Sequence, residues 1–288
     1  MPELPEVETV RRGLSGLIIG RKIIDVEILN EKSFSFAGYE PAKNVVGAKI
    51  IIVRRRGKVL IIDLDSGFSL VIHLKMTGQM VFRGDKEWGA GHPTDSLVGQ
   101  LPDKSTRVIF SLRGDAKLFF NDQRKFGWIK LVPTNEVDKI KFLVEMGPEP
   151  WEEKVDEKFV QNVRHHGNSM IKPIILNQSV IAGIGNIYAD ESLWMAKIHP
   201  ETHVKNLSDA QLGKICHAAD EVMRKSIDSG GSTIQTYIRA DGTRGDYLEK
   251  FANVFNRQGQ PCPRCETLIT KIKVAGRGTH LCPKCQKP

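Results

Sequence analysis

The chain opens Met-Pro-Glu-Leu-Pro-Glu-Val-Glu, which sets the precursor of an unusual amine beside two carboxylates at a helix start. Removal of Met1 makes Pro2 a secondary amine. Attack of that amine on a sugar or carbonyl carbon gives an iminium with no N–H to lose, so the adduct stays cationic and withdraws electrons. An α-amino group titrates near roughly 7.7–8.0, which leaves much of it neutral near pH 7. Pro5, Glu6 and Glu8 mark a helix start whose positive dipole end disfavours a nearby ammonium. Glu3, one residue from the amine, is a candidate proton shuttle. A plainer account fits the same residues: Pro2 favours removal of Met1, and the glutamates complement the helix dipole. Both readings stand on this stretch alone.

A second chemistry lies at the other end. Cys262-Pro-Arg-Cys265 and Cys282-Pro-Lys-Cys285, separated by sixteen residues, have the spacing of a two-knuckle zinc site. Four thiolates close a tetrahedron without leaving a position for water, so one structural zinc per chain is expected to fold the tail rather than catalyse. Residues 269–274 read as a strand and 275–278 as a turn, which puts Arg277 at the tip of the ribbon, either as a phosphate fork or as a solvated arginine. Cys216 falls on a helical apolar face and reads as inert core.

Three weaker signals lie between the two ends. Gly183-Ile-Gly185-Asn186, before a predicted helix, is either a phosphate cradle or a structural turn. His73-Leu-Lys-Met76-Thr-Gly78 and Asn121-Asp-Gln-Arg124-Lys-Phe126-Gly127 each end a strand with a large side chain, suited to a wedge between stacked bases or to the core. Arg54-Arg55-Arg56-Gly57-Lys58 joins two strands as a phosphate clasp or a solubilising turn.

The elements that must position these residues follow from periodicity. Val7, Val10, Leu14, Leu17 and Ile18 make an amphipathic first helix ending near Gly20. Strand-like runs follow at 23–29, 48–53, 59–64, 69–74, 107–112, 117–120 and 128–132, with turn signals at 66–67 and 113–115, giving an antiparallel sandwich or flattened barrel. Residues 85–104 carry glycines and prolines without periodicity and read as a long loop. Gly147-Pro-Glu-Pro150 is a stiff connector, after which helical patterns occupy 156–166, 172–178, 186–197 and 208–228. In the last of these Ser208 and Gln211 form a capping box. Residues 232–247 read as a polar surface loop.

At 288 residues the chain implies two domains with an appended module. Its apolar runs are far shorter than the roughly 18–20 residues of a membrane span, and no signal peptide is visible. Five cysteines, four of them in metal spacing, point to a reducing cytoplasm. The net charge of +8 favours a polyanionic partner. Residues 239–288 hold ten lysines and arginines against four aspartates and glutamates, so the basic excess concentrates at the C-terminal end.

Taken together, the opening stretch, the His73–Gly78 and Asn121–Gly127 segments, Gly-Ile-Gly-Asn-Ile-Tyr and the paired cysteines resemble the bacterial formamidopyrimidine-DNA glycosylase family, in the same order from Pro2 to Lys287. The resemblance implies an α+β multidomain fold: an N-terminal helix plus antiparallel β-sandwich (1–133), a helix-two-turn-helix domain (134–231), a lesion-contacting loop and connector (232–256), and a C-terminal zinc ribbon (257–288). It implies a monomeric enzyme of the bacterial cytosol or nucleoid, acting on damaged double-stranded DNA. Such an enzyme excises oxidised purines, chiefly 8-oxoguanine and formamidopyrimidines, and then nicks the strand by β,δ-elimination. Pro2 then resembles the nucleophile at the sugar C1′, Glu3 the acid that helps open the ring, and Glu6 a supporting carboxylate. Lys58, His73, Asn186 and Arg277 resemble phosphate contacts, with Lys58 and Arg277 counted in the catalytic set. Met76, Arg124 and Phe126 resemble the trio that fills the gap left by an everted nucleotide, and Lys172 with the 230–247 loop the region against the flipped base.

Two competing readings remain at this stage. The chain also resembles endonuclease VIII, which shares the proline and the ribbon but prefers oxidised pyrimidines. Leu4 and the full Met76, Arg124, Phe126 trio favour the purine enzyme. A non-catalytic DNA-binding protein would use the ribbon and basic tail but would need no free secondary amine at Pro2.

Overall fold

A computed structural model describes residues 2–36, 38–92, 94–231 and 247–288. The chain packs as two compact units, one of residues 1–144 with 229–246, the other of residues 145–228 with 247–288.

The first unit begins with α1 (Leu4–Ile18), whose apolar stripe of Val7, Val10, Leu14, Leu17 and Ile18 is buried as its 3.6-residue spacing requires. The strands are β1 (Ile23–Ile28), β2 (Phe34–Ser35), β3 (Ile50–Arg56), β4 (Val59–Leu64), β5 (Phe68–His73), β6 (Gly78–Arg83), β7 (Glu87–Gly91), β8 (Thr106–Leu112), β9 (Ala116–Asp122) and β10 (Trp128–Pro133). Short helices α2 (Pro41–Asn44) and α3 (Lys141–Val144) complete the set. Two five-stranded sheets, ordered β1-β8-β9-β6-β7 and β2-β10-β5-β4-β3, share one core. All pairings are antiparallel except β2 with β10. Helix α1 lies against β3, β4 and β7, and at Gly13 the approach is so close that a Cβ would stand 2.3 Å from the Trp88 ring.

Residues 85–104 are not one long loop. They contain β7, which pairs with β6 from Gln79↔Gly91 to Arg83↔Glu87, and a 3₁₀ turn at Asp95–Leu97. One of the glycines that suggest a loop is demanded by the pairing itself. At Gly91, φ is +125° and a Cβ would meet the Gly78 carbonyl at 2.4 Å, so no other residue fits.

The second unit is helical, with α4 (Val155–Arg164), α5 (Ile171–Ile175), α6 (Asn186–Ala196), α7 (Asp209–Asp228) and α8 (Tyr247–Phe251). The α7 capping box is present: Gln211 Oε1 accepts the Ser208 N–H at 2.9 Å, and Ser208 Oγ accepts the Gln211 N–H at 3.2 Å. The apolar face of α7, Cys216 included, is buried. The chain ends in a two-stranded ribbon, β11 (Thr270–Val274) and β12 (Arg277–Leu281). Its turn is Ala275-Gly276, both at positive φ, the two-residue connection whose twist suits a hairpin. Arg277 is thus the first strand residue, paired with Val274, rather than part of the turn. The polar loop expected at 232–247 lies outside the described residues up to 246.

Candidate active site and nucleic-acid contacts

Pro2 and Glu3 are buried at the start of α1, and Glu3 is 3% exposed. Glu6 holds this start in place, because its Oε2 accepts the Glu3 N–H at 2.8 Å, one arm of a capping box. The Pro2 nitrogen is an amide while Met1 precedes it and becomes an amine only on processing. Gly231, at φ +97°, lies against Glu6, with space for a Cβ only 3.6 Å from the carboxylate.

Glu8 does more than complement a dipole. It binds Arg11 and Arg12 on its own helix and Arg55 on β3, the last at 3.1 Å. Although burial pulls the other way, hydrogen bonds from Arg11 and Arg12 and the charge of Arg55 hold its carboxyl down at about 2. Arg55 also donates to the Gly57 carbonyl at 3.1 Å, so Glu8 fixes the β3–β4 turn from which Lys58 projects. Arg54 pairs with Asp63 at 2.7 Å. Two arginines of the basic run are therefore used internally, and neither a pure phosphate clasp nor a solubilising turn describes it. Lys58 is only 6% exposed, beside the Val59↔His73 pair of β4 and β5.

Burial, reinforced by the charges of Lys75 and Lys58, lowers His73 to about 3, so its imidazole is neutral at any physiological pH. The Lys75 N–H donates to His73 Nδ1 at 3.0 Å, which assigns the remaining proton to Nε2. His73 is thereby a neutral donor rather than a cation.

Met76 and Phe126 are 38% and 55% exposed, which removes the reading of both as core. The Arg124 guanidinium stacks 4.7 Å from the Phe126 ring centroid. Fully buried Asp122 organises both turns: its carboxylate accepts the Thr77 hydroxyl and the backbone N–H groups of Arg124 and Gly127, at 3.2 and 2.6 Å for the last two. Asp122 was not singled out from the sequence. Its signal there is a carboxylate immediately before a turn of five polar, aromatic and glycine residues.

In the second unit, Asn186 is the first residue of α6, and its Nδ2 donates to the Gly278 carbonyl at 3.0 Å. The preceding glycine loop is tied by Gln178, which accepts from Gly183 N at 2.9 Å and donates to Ile184 O at 2.9 Å. Arg277 is exposed, with no acidic partner among the described residues. The resemblance sets Lys172 against a flipped base, and the structure places it in a buried ion pair. Lys172 has no exposed surface, because its ammonium is bound by Asp190 Oδ1 at 2.6 Å, Thr279 Oγ1 at 2.7 Å and the Gly278 carbonyl at 3.3 Å.

The neighbour of Asp190 was also missed in the sequence. Glu191, fully buried, accepts the N–H groups of Asn253, Val254 and Phe255 at 2.8–3.1 Å and so anchors the segment leading into the ribbon. Burial raises its carboxyl above the usual range, opposed by those hydrogen bonds. The readable signal is an Asp-Glu pair inside a helix whose other residues, Asn186 and Ser192 apart, are apolar or aromatic.

Cys262, Cys265, Cys282 and Cys285 are free of disulfides, and their Sγ atoms all lie within 4.8 Å of one another, with Cys265 3.4 Å from both Cys282 and Cys285. A tetrahedron of Zn–S bonds near 2.3 Å requires sulfurs roughly 3.8 Å apart. The four-thiol set therefore fits a structural zinc. Arg264 seals one side, stacked 4.0 Å from the Trp194 ring centroid.

This combination of β-sandwich, helical domain and four-cysteine ribbon defines a class of DNA-repair proteins, and comparison with known proteins gives the family. Residues 1–129 match the formamidopyrimidine-DNA glycosylase N-terminal domain, residues 146–238 its H2TH domain, and residues 259–288 the zinc finger found in FPG and IleRS. A formamidopyrimidine-DNA glycosylase of Pelotomaculum thermopropionicum is 41% identical over 288 residues, covering all of this chain and 99% of the relative. One from Streptococcus pyogenes is 40% identical over 291 residues, with the same coverage. Among solved structures, a Lactococcus lactis FPG mutant bound to Fapy-dG-containing DNA superposes with a TM-score of 0.87 at 36% identity, both chains covered completely. A complex of the Lactococcus lactis protein with DNA containing an abasic site gives 0.86 at 36% identity, covering 99% of this chain and all of the other. The chain belongs to the formamidopyrimidine-DNA glycosylase family. No helix among the described residues is long and apolar enough to cross a membrane.

Proposed function

We propose that this chain, a bifunctional DNA glycosylase and abasic-site lyase of base-excision repair, removes oxidised purines through its N-terminal proline. The observation that carries the reading is the buried Pro2-Glu3 start, held by the Glu6 carboxylate at 2.8 Å from the Glu3 N–H. Once Met1 is removed, the Pro2 lone pair attacks C1′, the glycosidic bond breaks, and the base departs with the proton that the proline nitrogen gives up. Glu3 gives its proton to the sugar ring oxygen as the ring opens, leaving C1′ doubly bonded to the proline nitrogen. The iminium acidifies the C2′ hydrogens, and successive loss of the 3′ and 5′ phosphates nicks the strand. Family membership sets aside the non-catalytic DNA binder. On this reading the chain divides into a catalytic sandwich over 1–133, a DNA-binding helical domain over 134–231, a lesion-contacting connector over 232–256 and a zinc ribbon over 257–288.

Lys58, Asn186 and Arg277 act as phosphate contacts, and His73 as a neutral Nε2–H donor to a phosphate oxygen. Met76, Arg124 and Phe126 fill the space of the everted nucleotide, supported by their exposure on two turns that Asp122 joins. Relatives bound to Fapy-dG DNA and to carbocyclic 8-oxo-G DNA favour purine lesions as substrates.

Borohydride trapping tests the nucleophile. The processed protein should form a permanent crosslink to lesion DNA that peptide mapping places on Pro2. A protein that keeps one additional N-terminal residue should form none. Equal trapping of the two forms would put the nucleophile elsewhere.

A further inference from the structure

The zinc holds only one end of the ribbon. Cys282 follows the last residue of β12, whereas Arg277 begins that strand five residues earlier, about 17 Å away at the rise of an extended chain. A two-stranded hairpin is marginally stable by itself, so something else must fix the end that bears Arg277. The side chains that do so come from α5 and α6. Lys172 Nζ donates to Thr279 Oγ1 at 2.7 Å, and Thr279 Oγ1 donates to the Arg277 carbonyl at 3.1 Å. Lys172 Nζ and Asn186 Nδ2 both reach the Gly278 carbonyl, at 3.3 and 3.0 Å. Asp190 uses one oxygen for Lys172, at 2.6 Å, and the other for the His280 N–H, at 2.8 Å. Four consecutive residues, 277 to 280, are thus gripped by a wholly buried ion pair and its neighbours.

A buried ion pair adds little net stability, because desolvation of two charges offsets their attraction. What this pair gives is geometry. We propose that Lys172 and Asp190 are positioning residues, which set the backbone of residues 277–280 against the start of α6 so that Arg277 and Asn186 meet DNA phosphates at a fixed separation. The proposal rests on the reading of Arg277 and Asn186 as phosphate contacts.

The test is a double-mutant cycle on binding to a duplex carrying a tetrahydrofuran abasic analogue, measured across salt concentrations, with zinc content and thermal melting recorded for every variant. Arg277→Ala in the wild-type background should lower affinity about tenfold and flatten the log–log salt dependence by about 0.9. Lys172→Met with Asp190→Leu replaces the pair by apolar groups, and should keep one zinc per chain while losing about the same affinity and slope. Adding Arg277→Ala to it should then cost less than about twofold, since coupled residues are not additive. Thr279→Val removes only the connecting hydroxyl and carries the same cycle if the paired variant loses zinc. A full tenfold cost of Arg277→Ala in every background overturns the positioning role. An Arg277→Ala variant with wild-type affinity and slope overturns the phosphate reading beneath it, and the proposal falls with it.

Discussion

The Asp122 carboxylate accepts the Gly127 N–H at 2.6 Å, closing the turn that exposes Arg124 and Phe126. The Thr77 hydroxyl bonds the other oxygen, so the turn that bears Met76 is attached to the same group. Gly127 itself cannot be replaced cheaply: a Cβ there would stand 2.8 Å from the Phe120 ring. Asp122→Asn puts an amide where only acceptors fit. Excision from duplex DNA should fall about 10–10²-fold, the scale on which small misplacements cost rate. Cleavage of a preformed abasic site should fall much less, because little unstacking is required there. Single-turnover rates on the two substrates decide it, and equal losses would mean general damage to the sandwich.

The pH dependence of stability follows from two groups in the same unit. Unfolded His73 binds a proton below its ordinary value of 6.5, whereas the folded ring resists until about 3. Protons therefore favour the unfolded chain, and the protein should lose stability as pH falls through that window. Glu8 is held at about 2 against an ordinary 4.5, so its contribution is complete above 4.5 and is lost as pH falls towards 2. The two windows overlap below pH 4.5, and above it only His73 contributes. Between pH 6.5 and 4.5 His73→Gln should show a shallower fall in melting temperature than wild type, while Glu8→Gln should not. The same slope in both variants and wild type would contradict the buried, neutral ring, whose Nε2–H nitrogen NMR should report directly at pH 5.

How much of this could be read beforehand depends on whether the controlling contact is local. Helix α7 is legible because its cap and apolar face repeat within one turn or two of the chain. The zinc ligands are legible because each knuckle is four residues long. Strand β7 is not, since Gly91 answers to the backbone of β6 and Gly89 to Leu97, while both signal a loop to any local reading. The same holds for Lys172. A lysine in sequence reads as exposed and cationic, and partners distant in the chain, among them Asp190, eighteen residues on, and Thr279, over a hundred residues on, make its burial tolerable. Glu8 shows the reverse: its position on the helix is plain, but its grip on Arg55 crosses 47 residues.

Zinc removal should act on DNA binding before catalytic competence. Structural zinc contributes on the order of 10 kcal/mol to folding in small domains, far more than the ribbon's thin core of Ile269, Val274 and Leu281 could replace. Cys282→Ser should abolish stoichiometric zinc, reduce affinity for duplex DNA and flatten its salt dependence, since the ribbon whose second strand begins with Arg277 unfolds from its cysteine end. Metal analysis alongside binding isotherms checks this. Active, tightly binding protein without zinc would show that the cysteines serve another purpose.

Glu3 and Glu6 share one capping box at the start of α1, and substitutions separate that shared role from acid catalysis. Glu6 accepts the Glu3 N–H, a contact worth about 1 kcal/mol and available equally to a glutamine oxygen. Glu6→Gln should therefore retain most activity, whereas Glu6→Ala releases the start of α1 and should slow every step that uses the Pro2 amine. Glu3, 3% exposed beside the proline, is the group proposed to deliver a proton. Glu3→Gln keeps the size and the amine but removes the acid, so base excision should fall by about 10²–10⁴-fold. Action on an abasic site, which already offers an aldehyde form, should suffer far less, and borohydride trapping there should persist. Rates for both substrates in all three variants make the comparison. If Glu3→Gln and Glu6→Ala lose excision and abasic-site cleavage in the same proportion, Glu3 supports the fold of the terminus and the proton comes from another group.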